Sequence, residues 1–130
     1  MSNDMASPAV RRALLADIFC VVLFATIGRA SHGEPLSPGG LLRTCTPFVL
    51  GLTVGWVIVV MARVPAQRWV AGLVVWASTL IVGMAVRHFT HQGVAVSFIL
   101  VTAGFLALTL IGWRAVTMWI TAARRKGRRA

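Results

Sequence analysis

Four stretches of this chain are apolar for about as long as a helix needs to cross ~30 Å of hydrocarbon at ~1.5 Å per residue. They fall at about 8–29, 46–62, 69–86 and 94–116, with short polar connectors between them. Lipid offers no hydrogen-bond partners to a bare backbone, so each stretch must pair its own N–H and C=O groups as a helix. The expected fold is therefore all-α: a polytopic membrane protein with four transmembrane helices in an antiparallel bundle. Residues 1–120 form a single membrane domain in this reading, and 121–130 a polybasic tail.

Composition supports lipid as the solvent. Of 130 residues, 58% are hydrophobic and 12% charged, against about 25% charged in soluble domains. The net charge of +10 comes from 13 basic residues and only three acids, Asp4, Asp17 and Glu34. In a soluble chain that balance suggests nucleic acid. Here the basic residues cluster at the ends of apolar runs, as topology signals and lipid anchors do, and no nucleic acid is expected. The N-terminal ten residues lack the basic region, short apolar core and cleavage site of a leader, so the first helix is expected to remain.

The first span carries the sharpest local signals. Ser7-Pro8 reads as a helix cap followed by a first-turn proline, and Asp17 is the one charge between Ala13 and Gly28. A charge at that depth costs on the order of 2.5–3.5 kcal/mol on insertion scales, so it needs a partner or a proton. No cation lies three or four residues away on the same helix. Helical side chains lean toward their own N-terminus, so Asp17 and Arg114, on helices running in opposite senses, converge. Arg63 is the second choice. Two readings follow, a structural clamp between helices and a protonatable relay. A relay needs a chain of acids across the membrane, and Asp17 is alone, which favours the clamp.

The remaining chain reads in order. Residues 29–46 form a connector in which Gly39-Gly40 argues against a robust helix, and Thr46-Pro47 starts the second span. Gly51 and Gly55 make a GxxxG pair that suits close helix packing within the chain or a homodimer. Arg63–Arg68 is a tight turn, and Arg87–Gly93 a short polar loop. Trp69, Trp113 and Trp119 sit where an aromatic belt would place them, with Trp56 and Trp76 as packing residues. Cys20 and Cys45 form no metal or redox motif, and a disulfide between them is not expected. Ten basic residues fall on the side of the termini and three, Arg29, Arg43 and Arg87, on the other. The positive-inside rule then places both termini in the cytoplasm. Arg29 with His32, and Arg87 with His91, hint at two duplicated hairpins related about the membrane normal.

The blocks IGRASH, TPFVLGLTVGW, VGMAVRHFTHQG, SFILV and GWR, in this order, resemble the domain of unknown function 3054 family. The resemblance covers about Leu14 to Val116. It implies a four-helix integral membrane protein in a prokaryotic plasma membrane and brings no activity, substrate or cofactor. It singles out Asp17, Gly28, Arg29, His32, Pro47, Arg87, Gly112, Trp113 and Arg114 as positions matching the family pattern.

Beside the Asp17–Arg114 pair, a second constellation gathers Arg29, His32, Glu34, Arg87, His88 and His91 at the other membrane face. Arg29, His32, Arg87 and His91 form a candidate site for an anion or lipid headgroup, since guanidinium pairs bidentately with phosphate or carboxylate. Snorkelling toward lipid phosphates is the plainer alternative. His32, His91 and Glu34 make a passable metal set, but no spacing fixes them on one face, so neither metal nor cofactor is expected. Nothing arranges a nucleophile with a base, and an enzyme is not expected. The sequence favours an accessory or scaffold protein that assembles with other membrane proteins, or with itself, through small-residue faces. The alternative is a small carrier or binding protein for an anionic solute or headgroup. Arg124, Arg125, Lys126, Arg128 and Arg129 are expected to meet the anionic lipids of the inner leaflet.

Overall fold

The computed structural model describes residues 4–130; the first three residues of the stretch tested above for a leader lie outside it. All regular structure there is helical. Helix α1 is Pro8–Ser31, α2 Pro38–Met61 and α3 Trp69–Phe89. The last rod is α4 Val96–Leu106, a π-helical turn at Ala107–Ile111, and α5 Gly112–Arg128. Among the described residues, four helices are long and apolar enough to cross a membrane, the last being Val96–Arg128 taken whole. This is the make-up of a multi-pass membrane protein.

The helices are longer than the hydropathy pattern suggests, and one boundary differs in kind. Helix α2 begins at Pro38, not at Thr46. Ser37 caps it by accepting from the Gly40 N–H at 3.1 Å, and Pro38 fills the first helical position, where its missing N–H costs nothing. Pro47 therefore lies inside the helix and is buried. It has no N–H to offer the Arg43 carbonyl, the ordinary cost of an interior proline. Gly40 is there for space: a Cβ would sit 2.5 Å from an Arg29 guanidinium nitrogen. The basic run at the C-terminus is likewise the end of α5, helical through Arg128 and exposed throughout.

Packing is densest between α2 and α3. A Cβ at Gly51 would come within 2.7 Å of the Thr79 Cα, and one at Gly55 within 2.9 Å of the Val75 Cα. Lipid supplies no hydrophobic drive between helices, so this backbone approach, with its van der Waals contact, is what holds them. The GxxxG face is thus occupied within the chain. Gly83 likewise receives the Phe48 ring, which packs edge-on against Phe24 at 5.1 Å between centroids. Phe24 also meets Phe98 and Phe105 of α4. Near the same core, Trp76 reaches across from α3 and donates to the Ala103 carbonyl at 2.9 Å. Cys20 is buried in α1 and Cys45 partly buried in α2, and both are free.

Candidate functional site

The structure gathers polar side chains at both ends of the bundle. At one end, the first half of α1, the second half of α2, the turn before α3 and the start of α5 meet around Asp17. Its carboxylate receives four N–H donors. Arg114 Nη1 lies 2.8 Å from Oδ1 and Nη2 2.7 Å from Oδ2, a bidentate pair with both side chains fully buried. The indoles of Trp56 and Trp113 complete the set, each at 2.9 Å and on different oxygens. Arg114 in turn donates to the carbonyls of Ala66 at 2.8 Å and Leu110 at 2.9 Å, and its guanidinium stacks over the Trp113 ring at 4.4 Å.

Backbone features make room for this pair. The π turn at 107–111 ends just before Arg114 and presents the Leu110 carbonyl to it. Gly72 of α3 lies opposite, where a Cβ would be 2.9 Å from Arg114 Cδ and 3.2 Å from that carbonyl oxygen. Arg63, the second-choice partner, stands exposed in the α2–α3 turn with a left-handed backbone (φ 56°). Trp113 corrects the belt assignment: it is partly buried and serves the carboxylate, while Trp69 and Trp119 remain exposed. An indole N–H at membrane depth needs an acceptor, and Asp17 is the acid of the spans. That signal was available in the sequence. The π turn had none.

At the opposite end, the close of α1, the start of α2, the close of α3 and the loop before α4 surround a cavity of about 790 Å³, within the ~300–1,000 Å³ of small-ligand sites. Arg29, His32, Arg87 and His91 all line it, with Glu34 and, unanticipated, Arg43. Phe24 and Phe98 supply apolar walls. His88 is absent from the lining and packs edge-on to Phe89.

Arg29 and Arg87 are held by their own loops, in matching ways. Each donates through Nε to the carbonyl six residues on: Arg29 to Pro35 at 2.9 Å, Arg87 to Gly93 at 3.1 Å. The arginine's own carbonyl accepts from the N–H five residues on, Glu34 or Gln92, at 2.9 Å, and the fourth residue on, Gly33 or His91, has positive φ. Nη1 then meets the side chain of the fifth: Glu34 at 2.9 Å, Gln92 at 3.4 Å. Arg87 Nη2 also reaches the Gln92 carbonyl, and its guanidinium sits 4.2 Å from the Phe98 ring centre. Arg29 adds Thr44. The histidines fall one position out of step, since His91 matches Gly33 and His32 matches the cap residue Thr90. Arg43 is exposed, and among the described residues no hydrogen bond or ion pair engages its side chain. Glu34, Arg43 and Arg87 thus face one space.

A family model described as "Protein of unknown function (DUF3054)" matches residues 14–117. The chain belongs to the DUF3054 family. The residues gathered at both ends of the bundle fall inside the matched stretch, while the basic run from Arg124 to Arg129 lies beyond it. No curated protein and no solved structure matches the chain, so the DUF3054 match brings a family and no chemistry. Among the described residues, no three His, Cys, Asp or Glu side chains come together as metal ligands would.

Proposed function

We propose that this DUF3054 protein is an anion-binding membrane protein whose site is the Arg/His-lined cavity. Its four helices run antiparallel through a prokaryotic plasma membrane, with both termini cytoplasmic and the cavity on the outer face. The basic end of α5, Arg124 to Arg129, then faces the anionic inner leaflet, each charge near the surface contributing ~1 kcal/mol. It is a binding protein or small carrier and not an enzyme.

The observation that carries this reading is the cavity: three guanidiniums and two imidazoles around one space, with Glu34 as the single carboxylate on its wall. Arg side chains are donors only, so what complements such a wall is an acceptor with negative charge. The accessory reading drew its support from small-residue faces. Those at Gly51, Gly55 and Gly83 are filled by the chain's own helices and side chains, which removes the main support for that reading, while the cavity is open.

The test is thermal unfolding of the purified full chain in detergent, with sodium chloride replaced at constant ionic strength by phosphate, sulfate or acetate. A ligand that binds only the folded state raises Tm as its concentration passes Kd. The reading requires a saturable rise with at least one oxyanion; a flat response to all three contradicts it. Orientation is tested separately, in a background with Cys20 and Cys45 replaced. A cysteine at Ser37 or Gln92 should label from outside intact cells, and one in the Arg63–Arg68 turn should not.

A further inference from the structure

The cavity's charges are not equivalent, and their differences point to the ligand. Arg29 already faces a carboxylate, with Glu34 Oε2 at 2.9 Å. Arg87 is held by carbonyl and amide oxygens, which orient it without neutralising it. Arg43 is engaged by neither. Two positive charges thus remain after the internal pair is set aside, one fixed in place and one free to move.

We propose, resting on the anion-binding reading, that the ligand is a phosphoryl group carrying two negative charges: a phosphate monoester or inorganic phosphate. Such a group bears about −1.5 to −2 near neutral pH and three acceptor oxygens, which matches a fixed and a mobile guanidinium beside imidazole donors. A carboxylate or a phosphodiester brings one charge and leaves one guanidinium uncompensated in a partly enclosed space. Arg87 sets the position of the group, and Arg43 closes on it, with planar bidentate contact to two of its oxygens. Glu34 acts as a resident competitor. It lies half-exposed on Arg29, and its charge opposes any second anion entering the cavity.

Two sources present this chemistry, a lipid phosphate in the membrane plane and a soluble phosphate. The experiment compares phenyl phosphate, methyl phenyl phosphate and benzoate binding to the full chain in detergent, by ligand-dependent thermal shift. Phenyl phosphate should bind about tenfold tighter than the other two. Arg43→Gln should narrow that preference, and Glu34→Gln should tighten binding of phenyl phosphate more than of benzoate. Equal affinity for all three would overturn the phosphoryl assignment while leaving an anion site standing; no binding of any would remove both. In nanodiscs, stabilisation by phosphatidic acid but not phosphatidylglycerol identifies a lipid source. Stabilisation by inorganic phosphate, with phosphatidic acid inert, identifies a soluble one. Phosphatidylglycerol acting as well as phosphatidic acid would again overturn the assignment.

Discussion

The two ends of the bundle hold arginines in opposite ways. Arg114 is wholly buried, paired with Asp17, and its donors are spread over a carboxylate and two carbonyls. Arg29 and Arg87 lie on the wall of an open cavity, where their donors tie down two connecting loops. Burial explains the difference. A dry charge must have every partner supplied by protein, and the Asp17 end supplies them from five parts of the chain. At the cavity end water can complete what the protein leaves open, and Arg43 is left with its donors free. The first arrangement suits holding helices together, and the second suits exchanging a ligand.

Breaking the pair should have the largest effect. Arg114→Leu leaves a buried carboxylate with only the two indoles and should lower stability in detergent by about 3–5 kcal/mol. Asp17→Leu combined with Arg114→Leu should recover much of that loss, because the uncompensated charge is gone. Additive losses would break the claim that the two residues act as one unit. At the cavity end, Arg87→Gln removes bonds to Gln92 and Gly93 but strands no charge. It should cost about 1–2 kcal/mol, read by the same unfolding experiment.

A matched pair of glycines sharpens the contrast. Gly72→Ala places a methyl against the Arg114 side chain and the Leu110 carbonyl, neither free to move, and should cost about 1–3 kcal/mol. Gly40→Ala places one even closer to its neighbours, 2.5 Å from an Arg29 guanidinium nitrogen and 2.9 Å from the Ser37 cap oxygen. The guanidinium is the far end of a flexible side chain and shifts at the expense of its bonds to Thr44 and Glu34, so the cost should be smaller, about 0.5–1 kcal/mol. Equal costs at the two sites would mean that the cavity end is as rigid as the other.

The contrast was partly written in the sequence. The cost of Asp17 in lipid and the lean of helical side chains point to Arg114 without any coordinates. What escaped was everything that satisfies the rest of the pair: the indoles of Trp56 and Trp113, read as packing and belt residues, and the π turn, whose extra residue leaves no mark on hydropathy. Gly39-Gly40 read as a helix breaker, although Ser37-Pro38 is a good start signal and Gly40 answers a steric demand from Arg29. That misreading turned Arg43 into a loop residue. It has no histidine beside it, so no pattern drew it into the site. Nor does charge counting show that Arg29 and Arg87 are engaged by their own loops, because that depends on backbone geometry four to six residues downstream. Four spans were legible because a run of apolar residues admits one backbone solution in lipid; the sharing of hydrogen bonds among several arginines admits many.

Arg43→Gln is the variant on which the account turns, measured for unfolding temperature across a phosphate titration at constant ionic strength. Among the described residues nothing bonds the Arg43 side chain, so without phosphate the variant should melt within about 0.5 kcal/mol of the parent. With phosphate, the parent's rise should shrink severalfold or vanish in the variant. A variant that melts early in the absence of phosphate yet keeps the full phosphate-dependent rise would contradict the account, since Arg43 would then hold the fold and not the ligand.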